Sequence, residues 1–406
     1  MPGISFDALM SAVSPGGASC LSSLTVLEPA AGPHASVAPA KFASSSPNDK
    51  KGAYAYERRY LDGESRTAVL IDSKQSQLNR CEAALSLAIS EGHPLLSRMP
   101  RVTVTYERDG FTEMYSDLTL PHRVFDGHIR AGTVDGEPVT QLDAYRAIRN
   151  ATPANARALL DASPVSLIFG SWDSSRSARQ GRWRSALVGE IVGFCADDRT
   201  AMRGGARVDS VGMQIQLAGA DLRALADRQR AELTAKTYKK ASDEADKANG
   251  KKEKVSASML GLGGIPPALE TLAGVACQPI IRSHVLSFAT LRQIRFGAGP
   301  EGDAACRALL AALALNALAR SDAELYLRAN CDLRESKPTV VELDQRGGGR
   351  AVLEPLSVGT ADALIAEALQ AAGQAAGVSW DGVSLSVTGD PAIVAGAVAD
   401  DADREG

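Results

Sequence analysis

Residues 71–82 read IDSKQSQLNRCE and join a β-like run, residues 66–71, to a predicted amphipathic helix, residues 74–91. Asp72 and Ser73 are residue types that accept hydrogen bonds from the first turn of a helix. The backbone amides at such a helix start attract anions. The segment therefore predicts a strand–helix junction that is suited to holding a negatively charged group.

Five side chains of this junction are candidate contacts to a phosphate–sugar backbone. Lys74 and Arg80 supply positive charge, and Ser73, Gln77 and Asn79 supply neutral hydrogen-bonding groups. This mixture suits binding of a nucleic-acid backbone better than bond-breaking chemistry. Helix capping alone is the alternative explanation for the serine.

Composition limits the class of protein. The chain has 406 residues, 45% of them hydrophobic, which is enough for one large or two ordinary domains. Because the net charge is −4 and the pI is about 5.9, any nucleic-acid surface must be local. Aromatic residues make up only 5%, which argues against a wide base-stacking platform.

Several kinds of chemistry have no motif in the sequence. It contains no GxxxxGK[ST] loop, no GxGxxG after a strand, no HExxH and no GxSxG. The six cysteines are far apart, which argues against a zinc site and for a reducing compartment. The apolar run 308–319 is too short to span a bilayer, and the amino terminus lacks a signal-peptide pattern. We expect a cytoplasmic protein that uses no metal or cofactor and has no membrane partner.

A second candidate surface follows the apolar segment SPVSLIFGSWDS, residues 163–174. No acidic residue occurs from Ser174 to Gly189, whereas arginines stand at 176, 179, 182 and 184. Arginines among small residues suit phosphate contact. The candidate contacts here are Ser171, Trp172, Arg176, Arg179 and Arg182. A solvated loop is the alternative for the arginines, and a core or rim anchor is the alternative for the tryptophan.

Two further basic stretches complete the candidate set. In PHRVFDGHIR, residues 121–130, the side chains of His122, Arg123 and Arg130 are expected to touch phosphates or a neighbouring subunit. Residues 271–300 contain no acid but carry Arg282, Arg292 and Arg295. These three arginines either line a groove or lie on a solvated face.

Hydrophobic patterning predicts an α+β fold. Residues 11–50 are expected to form a loosely ordered surface segment with a short strand, and 220–254 a charged, mobile insertion with ten Lys/Arg against six Asp/Glu over 223–254. The best fit to the element order is a ferredoxin-like βαββαβ core with large insertions. The predicted strands are 21–27, 66–71, 101–107 paired with 114–120, 166–170, 207–217, 275–289, 323–333, 338–344 and 383–387, and the predicted helices are 74–91, 140–161, 184–194, 303–320 and 361–376.

We divide the chain into three segments. Residues 1–50 form a variable amino-terminal segment. Residues 51–350 form a palm like that of an RNA-recognition motif, with insertions at about 93–162 and 220–258. Residues 351–406 form a carboxy-terminal αβ extension with an acidic tail.

Six segments in order resemble one protein family. They are IDSKQSQLNRCE, PHRVFDGHIR, SPVSLIFGSWDS, GRWRSALVGEIVGF, KVSASMLGLGGIPP and LSFATLRQIRF. Over roughly residues 55–345 the chain resembles the CRISPR-associated RAMP backbone subunit (Cas-seven-type) of type I-U, or I-G, Cascade effector complexes. The resemblance implies a modified RRM-like palm with a β-hairpin thumb, for which the hairpin at 101–120 and the insertion at 220–258 are candidates.

The resemblance also implies partners and a role. Several copies would line up along one CRISPR guide RNA and present its bases for pairing with invading target DNA. Other expected partners are a large subunit and a cap and RNA-processing subunit, while a separately recruited helicase-nuclease would cut the target. The subunit itself would be non-catalytic.

Two other functions stay open at this point. One is a RAMP-type endoribonuclease, because RGGGR at 346–350 is similar to the glycine-rich loop of such enzymes and His284 and His122 are available as acid or base. The other is a structural protein that assembles without nucleic acid.

Overall fold

The structure is a computed structural model, and it describes residues 2–43, 53–108, 110–177, 180–196, 202–248, 254–271 and 274–397. Helices and strands are interspersed along the chain, which confirms the predicted α+β class. The helices are α1 (Phe6–Val13), α2 (Lys74–Ser90), α3 (Gly127–Ala131), α4 (Asp143–Arg149), α5 (Arg157–Ala162), α6 (Pro164–Ile168), α7 (Gly219–Arg228), α8 (Ala235–Ala248), α9 (Phe288–Leu291), α10 (Gly299–Ala323), α11 (Val358–Ala376) and α12 (Pro391–Ala395).

The strands vary in length from two residues in β2 to ten in β1. They are β1 (Cys20–Pro29), β2 (Lys41–Phe42), β3 (Ala53–Tyr54), β4 (Tyr56–Leu61), β5 (Glu64–Asp72), β6 (Arg101–Arg108), β7 (Phe111–Ser116), β8 (Thr133–Val134), β9 (Glu137–Pro138), β10 (Ser171–Trp172), β11 (Arg182–Trp183), β12 (Leu187–Phe194), β13 (Met202–Arg207), β14 (Gln216–Leu217), β15 (Val255–Ser256), β16 (Ile265–Thr271), β17 (Ile280–Ser287), β18 (Leu333–Glu335), β19 (Val340–Asp344), β20 (Arg350–Leu353) and β21 (Val383–Thr388).

The chain divides into two compact units. The first comprises Met1–Asp198 with Val275–Gly396, and the second comprises Arg199–Gly274 with Ala397–Gly406. The first unit contains the large sheet and the long helices. The second unit contains the predicted insertion 220–258.

The first unit is built on an antiparallel sheet with the strand order β20-β19-β1-β17-β12-β5-β4, and β18 adds to β1. On β17 the residues Ile280, Arg282, His284 and Leu286 are buried in alternation, as expected of a strand with one face on the core. Helix α2 packs on β12, and α10 packs on both α2 and β17. One face of the sheet is therefore covered by two helices.

The register between β12 and β17 depends on a glycine. Gly189 lies opposite His284, and a Cβ atom at position 189 would lie 2.0 Å from Cδ2 of that imidazole. The buried ring therefore fills the space that any other residue at 189 would need. Burial lowers the pKa of His284 to about 3, with Arg282 contributing, so the ring is neutral at physiological pH.

Helix α10 is the core helix of the first unit. Its residues from Gly302 to Ala319 are all buried, and most of them are alanine or leucine. An apolar circumference is expected when a helix is surrounded on all sides. The helix is long and apolar enough to span a membrane by length and composition, but the whole of its apolar window is buried inside the structure, as in core helices of soluble proteins.

The carboxy-terminal segment is part of the first unit. Helix α11 packs along α10, and β21 pairs in parallel with β6 in a second sheet of order β7-β6-β21-β8-β9. The predicted hairpin around residues 109–110 is present as β6 and β7.

The short strand predicted at 21–27 is confirmed as β1, which extends over Cys20–Pro29 inside the large sheet, where every second side chain faces the core. Three local predictions are wrong. Residues 187–194, predicted as helix, form β12, where Gly189 and Gly193 leave room for side chains of neighbouring segments. Residues 166–170, predicted as strand, instead form the end of α6 and the two residues after it, and α6 has proline at its first turn. The run 323–333, predicted as strand, instead ends α10 and then continues as loop up to β18.

The described part of the second unit consists of two strand pairs and two helices. Strands β13 and β16 are antiparallel, and β14 pairs with β15. Helix α7 packs on α8, and Leu222, Ala245 and Ala257 form a small core between them. The charged insertion, predicted to be mobile, is therefore helical from Ala235 to Ala248.

Candidate nucleic-acid interface

The strand–helix junction is organised around Asp72, whose side chain is fully buried. It accepts hydrogen bonds from Ser76 Oγ at 2.9 Å, Gln77 Nε2 at 2.6 Å, Arg80 Nε at 3.0 Å and a guanidinium nitrogen of Arg328. Burial by itself raises the pKa of Asp72, but the bonds from Arg80, Gln77 and Ser76 outweigh it, so the pKa is lowered. Asp72 therefore accepts from side chains and does not cap the helix, and its one negative charge is held between two guanidinium groups.

The five predicted contacts at this junction separate into two groups. Ser73 caps α2 by accepting from the Ser76 amide at 3.2 Å, and Gln77 and Arg80 face Asp72. Lys74 and Asn79 are exposed. Only these last two present their polar ends to solvent.

Arg123 is used inside the protein. Its guanidinium donates to both carboxylate oxygens of Glu82, at 2.5 and 2.8 Å, and to the carbonyl oxygen of Gly170 at 2.7 Å. Its side chain is only 13% exposed. This ion pair links α2 to the segment before the loop 171–183, so we interpret Arg123 as a positioning residue.

The acid-free stretch 271–300 does not form one basic surface. Arg282 is buried and pairs with Asp322 and Glu335, each at 3.2 Å. Arg292 donates to the carbonyl oxygens of Ala12 and Ala18, and burial lowers its pKa. Arg295 is exposed. Two of the three predicted arginines are therefore bonded to groups of the protein itself.

The loop 171–183 carries two exposed members of the predicted set, Trp172 and Arg182. Strands β10 and β11 pair Trp172 with Arg182, and the Arg182 guanidinium lies 5.2 Å from the centre of the tryptophan ring. Trp172 is 46% exposed, whereas Ser171 is buried and donates to the carbonyl oxygen of Ser166 at 3.3 Å. The indole is therefore held at the surface by a cation–π contact. Predicted contact Arg179 lies outside the described residues.

Arg176 lies against α4 and completes a cavity of about 490 Å³. It donates to the Arg149 carbonyl oxygen at 2.8 Å and to Asn150 Oδ1 at 2.6 Å. Arg149 pairs with the buried Asp173 at 2.6 Å, while Arg146 is 62% exposed. The cavity is lined by Thr140, Asp143, Arg146, Arg149, Asn150 and Arg176.

Sequence reasoning missed Arg146 and Arg149. Their spacing of three within the predicted helix 140–161 places both on one side of that helix, and this signal was available. The contact with Arg176 joins segments 27 residues apart and was not visible in the sequence.

A second cavity of about 490 Å³ adjoins the loop through Arg130. Arg130 Nε donates to the Phe125 carbonyl oxygen at 2.9 Å, and Nη1 contacts Ser175 Oγ. His122, His128 and Arg130 line this cavity together with Asp126. His128, which the sequence analysis did not select, shares a 2.7 Å hydrogen bond between its Nδ1 and the hydroxyl of Tyr106.

Five residues define what we call the arginine surface: Arg130, Arg146, Arg176, Arg182 and Trp172. Asp173 is buried and balances Arg149, and the exposed Asp143 lies 3.8 Å from Arg146. The surface thus combines guanidinium groups that bind phosphate oxygens with one aromatic face that can stack on a base. Among the described residues no group of His, Cys, Asp and Glu is arranged to hold a metal ion.

Fold and surface together define an α+β protein with a local basic face on an acidic chain. Residues 21–198 match the family model described as CRISPR-associated protein GSU0053 (Cas_GSU0053), and this match identifies the chain as a CRISPR-associated protein. No curated protein matches the chain. The matched region contains every residue of the arginine surface.

Proposed function

We propose that the protein is a non-catalytic backbone subunit of a type I-G (I-U) Cascade complex. It binds CRISPR guide RNA, oligomerises along it and presents it for pairing with invading DNA. The observation that carries the proposal is the arginine surface within the region matched by the CRISPR-associated family model. Such a surface contacts phosphates and one base without reading sequence, which leaves recognition of the target to the guide.

The topology supports a ferredoxin-like palm. Taken in chain order, β1, α2, β12, β17, α10 and β19 run strand–helix–strand–strand–helix–strand. The four strands lie side by side in the order β19-β1-β17-β12. The second unit is inserted between β12 and β17, and we assign its antiparallel pair β13–β16 as the thumb.

The proposal includes the partners that the resemblance implies. These are further copies of the chain, a large subunit, and a cap and processing subunit, with a helicase-nuclease recruited separately. The complex acts in the cytoplasm, and the subunit needs no cofactor for its role.

The test is RNA binding by a triple variant, Arg146→Gln, Arg176→Gln and Arg182→Gln. Affinity for a single-stranded repeat–spacer RNA is measured at several salt concentrations. Each lost phosphate contact lowers the slope of log affinity against log salt by roughly 0.7 to 1. We expect weaker binding and a slope smaller by about two units, on the order of the three contacts removed.

A matched control carries the same change at three arginines elsewhere on the first unit. Arg58, Arg66 and Arg334 are exposed, and they bond to residues of their own or a neighbouring strand. The control triple variant has the same net charge as the test variant. Equal salt slopes in the two variants would mean that the arginine surface does not contact the RNA.

A second candidate function is endoribonuclease activity, which the cavity beside Arg130 favours. The hydrogen bond to Tyr106 orients His128, and His122 and Arg130 line the same space. Two histidines and an arginine suit cleavage of RNA by its own 2′-hydroxyl, with one imidazole as base, one as acid and the guanidinium on the phosphorus oxygens. Site-specific cleavage of labelled precursor that is lost in His128→Ala, with RNA affinity retained, would favour this function over the non-catalytic one.

A further inference from the structure

A third cavity, of about 520 Å³, lies in the first unit at the carboxyl end of α10. It is far larger than one water molecule and falls in the size range of small-molecule sites. Most of its wall is apolar, and the lining includes Ile4, Leu21, Leu315, Leu318, Leu353 and Leu356. None of the residues of the arginine surface lines it.

The polar end of this cavity is built around Arg282. Its guanidinium is 2% exposed and bonds to Asp322 Oδ1, Glu335 Oε1 and, at 3.4 Å, Thr25 Oγ1. Nε of Arg282 has no hydrogen-bond partner among the described residues. Because that nitrogen has almost no accessible surface, a ligand in the cavity meets the carboxylate partners of Arg282 rather than Nε itself.

The polar end of the cavity carries more negative than positive groups. Three carboxylates, Asp322, Glu335 and Glu354, line the cavity against the one guanidinium of Arg282. Asp322 and Glu335 are 24% and 49% exposed, so both are reachable from the cavity. Burial raises the pKa of Asp322 to about 6, which Arg282 partly offsets and Glu335 reinforces; a cation placed beside it would favour its ionised form.

We propose that this cavity binds a primary ammonium group that carries an apolar side chain. The ammonium pairs with Asp322 and Glu335, and the side chain fills the leucine-lined part. Apolar amino-acid amides and free peptide amino termini have this chemistry. The site is independent of RNA binding, because no residue of the arginine surface contributes to it.

Isothermal titration of the full chain with phenylalaninamide tests the proposal. We expect saturable one-to-one binding, and at least tenfold weaker binding of N-acetyl-phenylalaninamide, which has the same ring and carbonyl but no charge. A short peptide with amino-terminal phenylalanine distinguishes the two sources. If it binds as well as the amide, the natural ligand is a peptide terminus, and if it does not bind, the ligand is a free amine.

Three variants locate the binding. Glu335→Gln removes one carboxylate charge at an exposed position, and Ala319→Met fills the apolar part of the cavity. Both are expected to weaken binding at least tenfold, while Glu342→Gln, which lies outside the cavity, leaves it unchanged. The urea midpoint of each variant checks that it is folded. Absence of saturable binding by the folded wild-type chain, or unchanged affinity in both cavity variants, would overturn the proposal.

Discussion

Substitution of Asp117 by asparagine is expected to stabilise the protein at neutral pH. Asp117 directly follows β7 in the chain and is completely buried. Neither of its carboxylate oxygens has a hydrogen-bond partner among the described residues. Burial raises its pKa to about 7; the Ser163 hydroxyl and the Val102 amide favour the charged form but lie outside hydrogen-bonding geometry. The group is therefore protonated in the folded protein under conditions in which it is ionised in the unfolded chain.

The sign and size of the effect follow from linkage. The unfolded carboxyl loses its proton near pH 3.8 and the folded one near pH 7. Folding therefore takes up a proton between these values, and stability falls by up to about 1.4 kcal/mol for each unit of rising pH. This contribution is fully present below pH 3.8 and has been lost above pH 7, an order-of-magnitude total of about 4 kcal/mol.

Asparagine has nearly the same shape and no charge at any pH, so the Asp117→Asn variant lacks this dependence. Between pH 5 and pH 8 its unfolding free energy should gain about 3 kcal/mol relative to wild type. Urea unfolding followed by tryptophan fluorescence measures this change in the first unit alone, because Trp172, Trp183 and Trp380 all lie there. Asp381→Asn, at an exposed carboxylate, is the matched control.

Parallel curves of unfolding free energy against pH for wild type and Asp117→Asn would refute this reasoning. Such a result would mean that a hydrogen bond, or water reaching the site, already compensates the buried charge. A drop in stability at every pH would mean instead that the amide cannot be accommodated.

Three other outcomes can be measured on the same chain. Asp72→Ala leaves Arg80 and a second guanidinium without their counter-charge and should lower the unfolding free energy by about 3–5 kcal/mol, as seen in the urea midpoint. Gly189→Ala should destabilise the first unit because its Cβ overlaps the ring of His284, and adding a His284→Ala change should recover part of the loss in a double-mutant cycle. Trp172→Ala should weaken binding of single-stranded RNA by about 1–3 kcal/mol without moving the urea midpoint, and unchanged affinity would exclude stacking on this residue.

Elements with strong local signals could be predicted from the sequence. The Ser73 cap before α2, the alternation of β6 and the alanine–leucine content of α10 and α11 each depend on residues close together in the chain, and these elements are present as predicted. Strand β12 was mistaken for a helix. Its glycines make room for the side chains of His284 and Cys277, which lie some 80 to 95 residues later in the chain. Local patterning does not contain such a contact.

The residues of the candidate site could also be predicted only in part, because their partners lie far away in the chain. A run of arginines predicts positive charge, but not which guanidinium groups meet a buried carboxylate. Arg123 and Glu82 are 41 residues apart, and Arg282 meets Asp322 and Glu335 from other elements. The arginines after Ser174 were easier to select because the stretch from Ser174 to Gly189 contains no acid, so they have fewer local partners.

The parallel pairing of β21 with β6 has a consequence for biosynthesis. Ser384 Oγ bonds to the Arg101 carbonyl oxygen across 283 residues of chain, and Val383–Thr388 is the middle strand of its sheet. During translation β6 is made early and must wait, with one edge unpaired, until nearly the whole chain has left the ribosome. Contacts of such long sequence separation slow folding and leave strand edges open to wrong partners. The nascent chain is therefore exposed to mispairing at β6 throughout synthesis, and a ribosome that stalls before residue 383 would release a chain that cannot close this sheet.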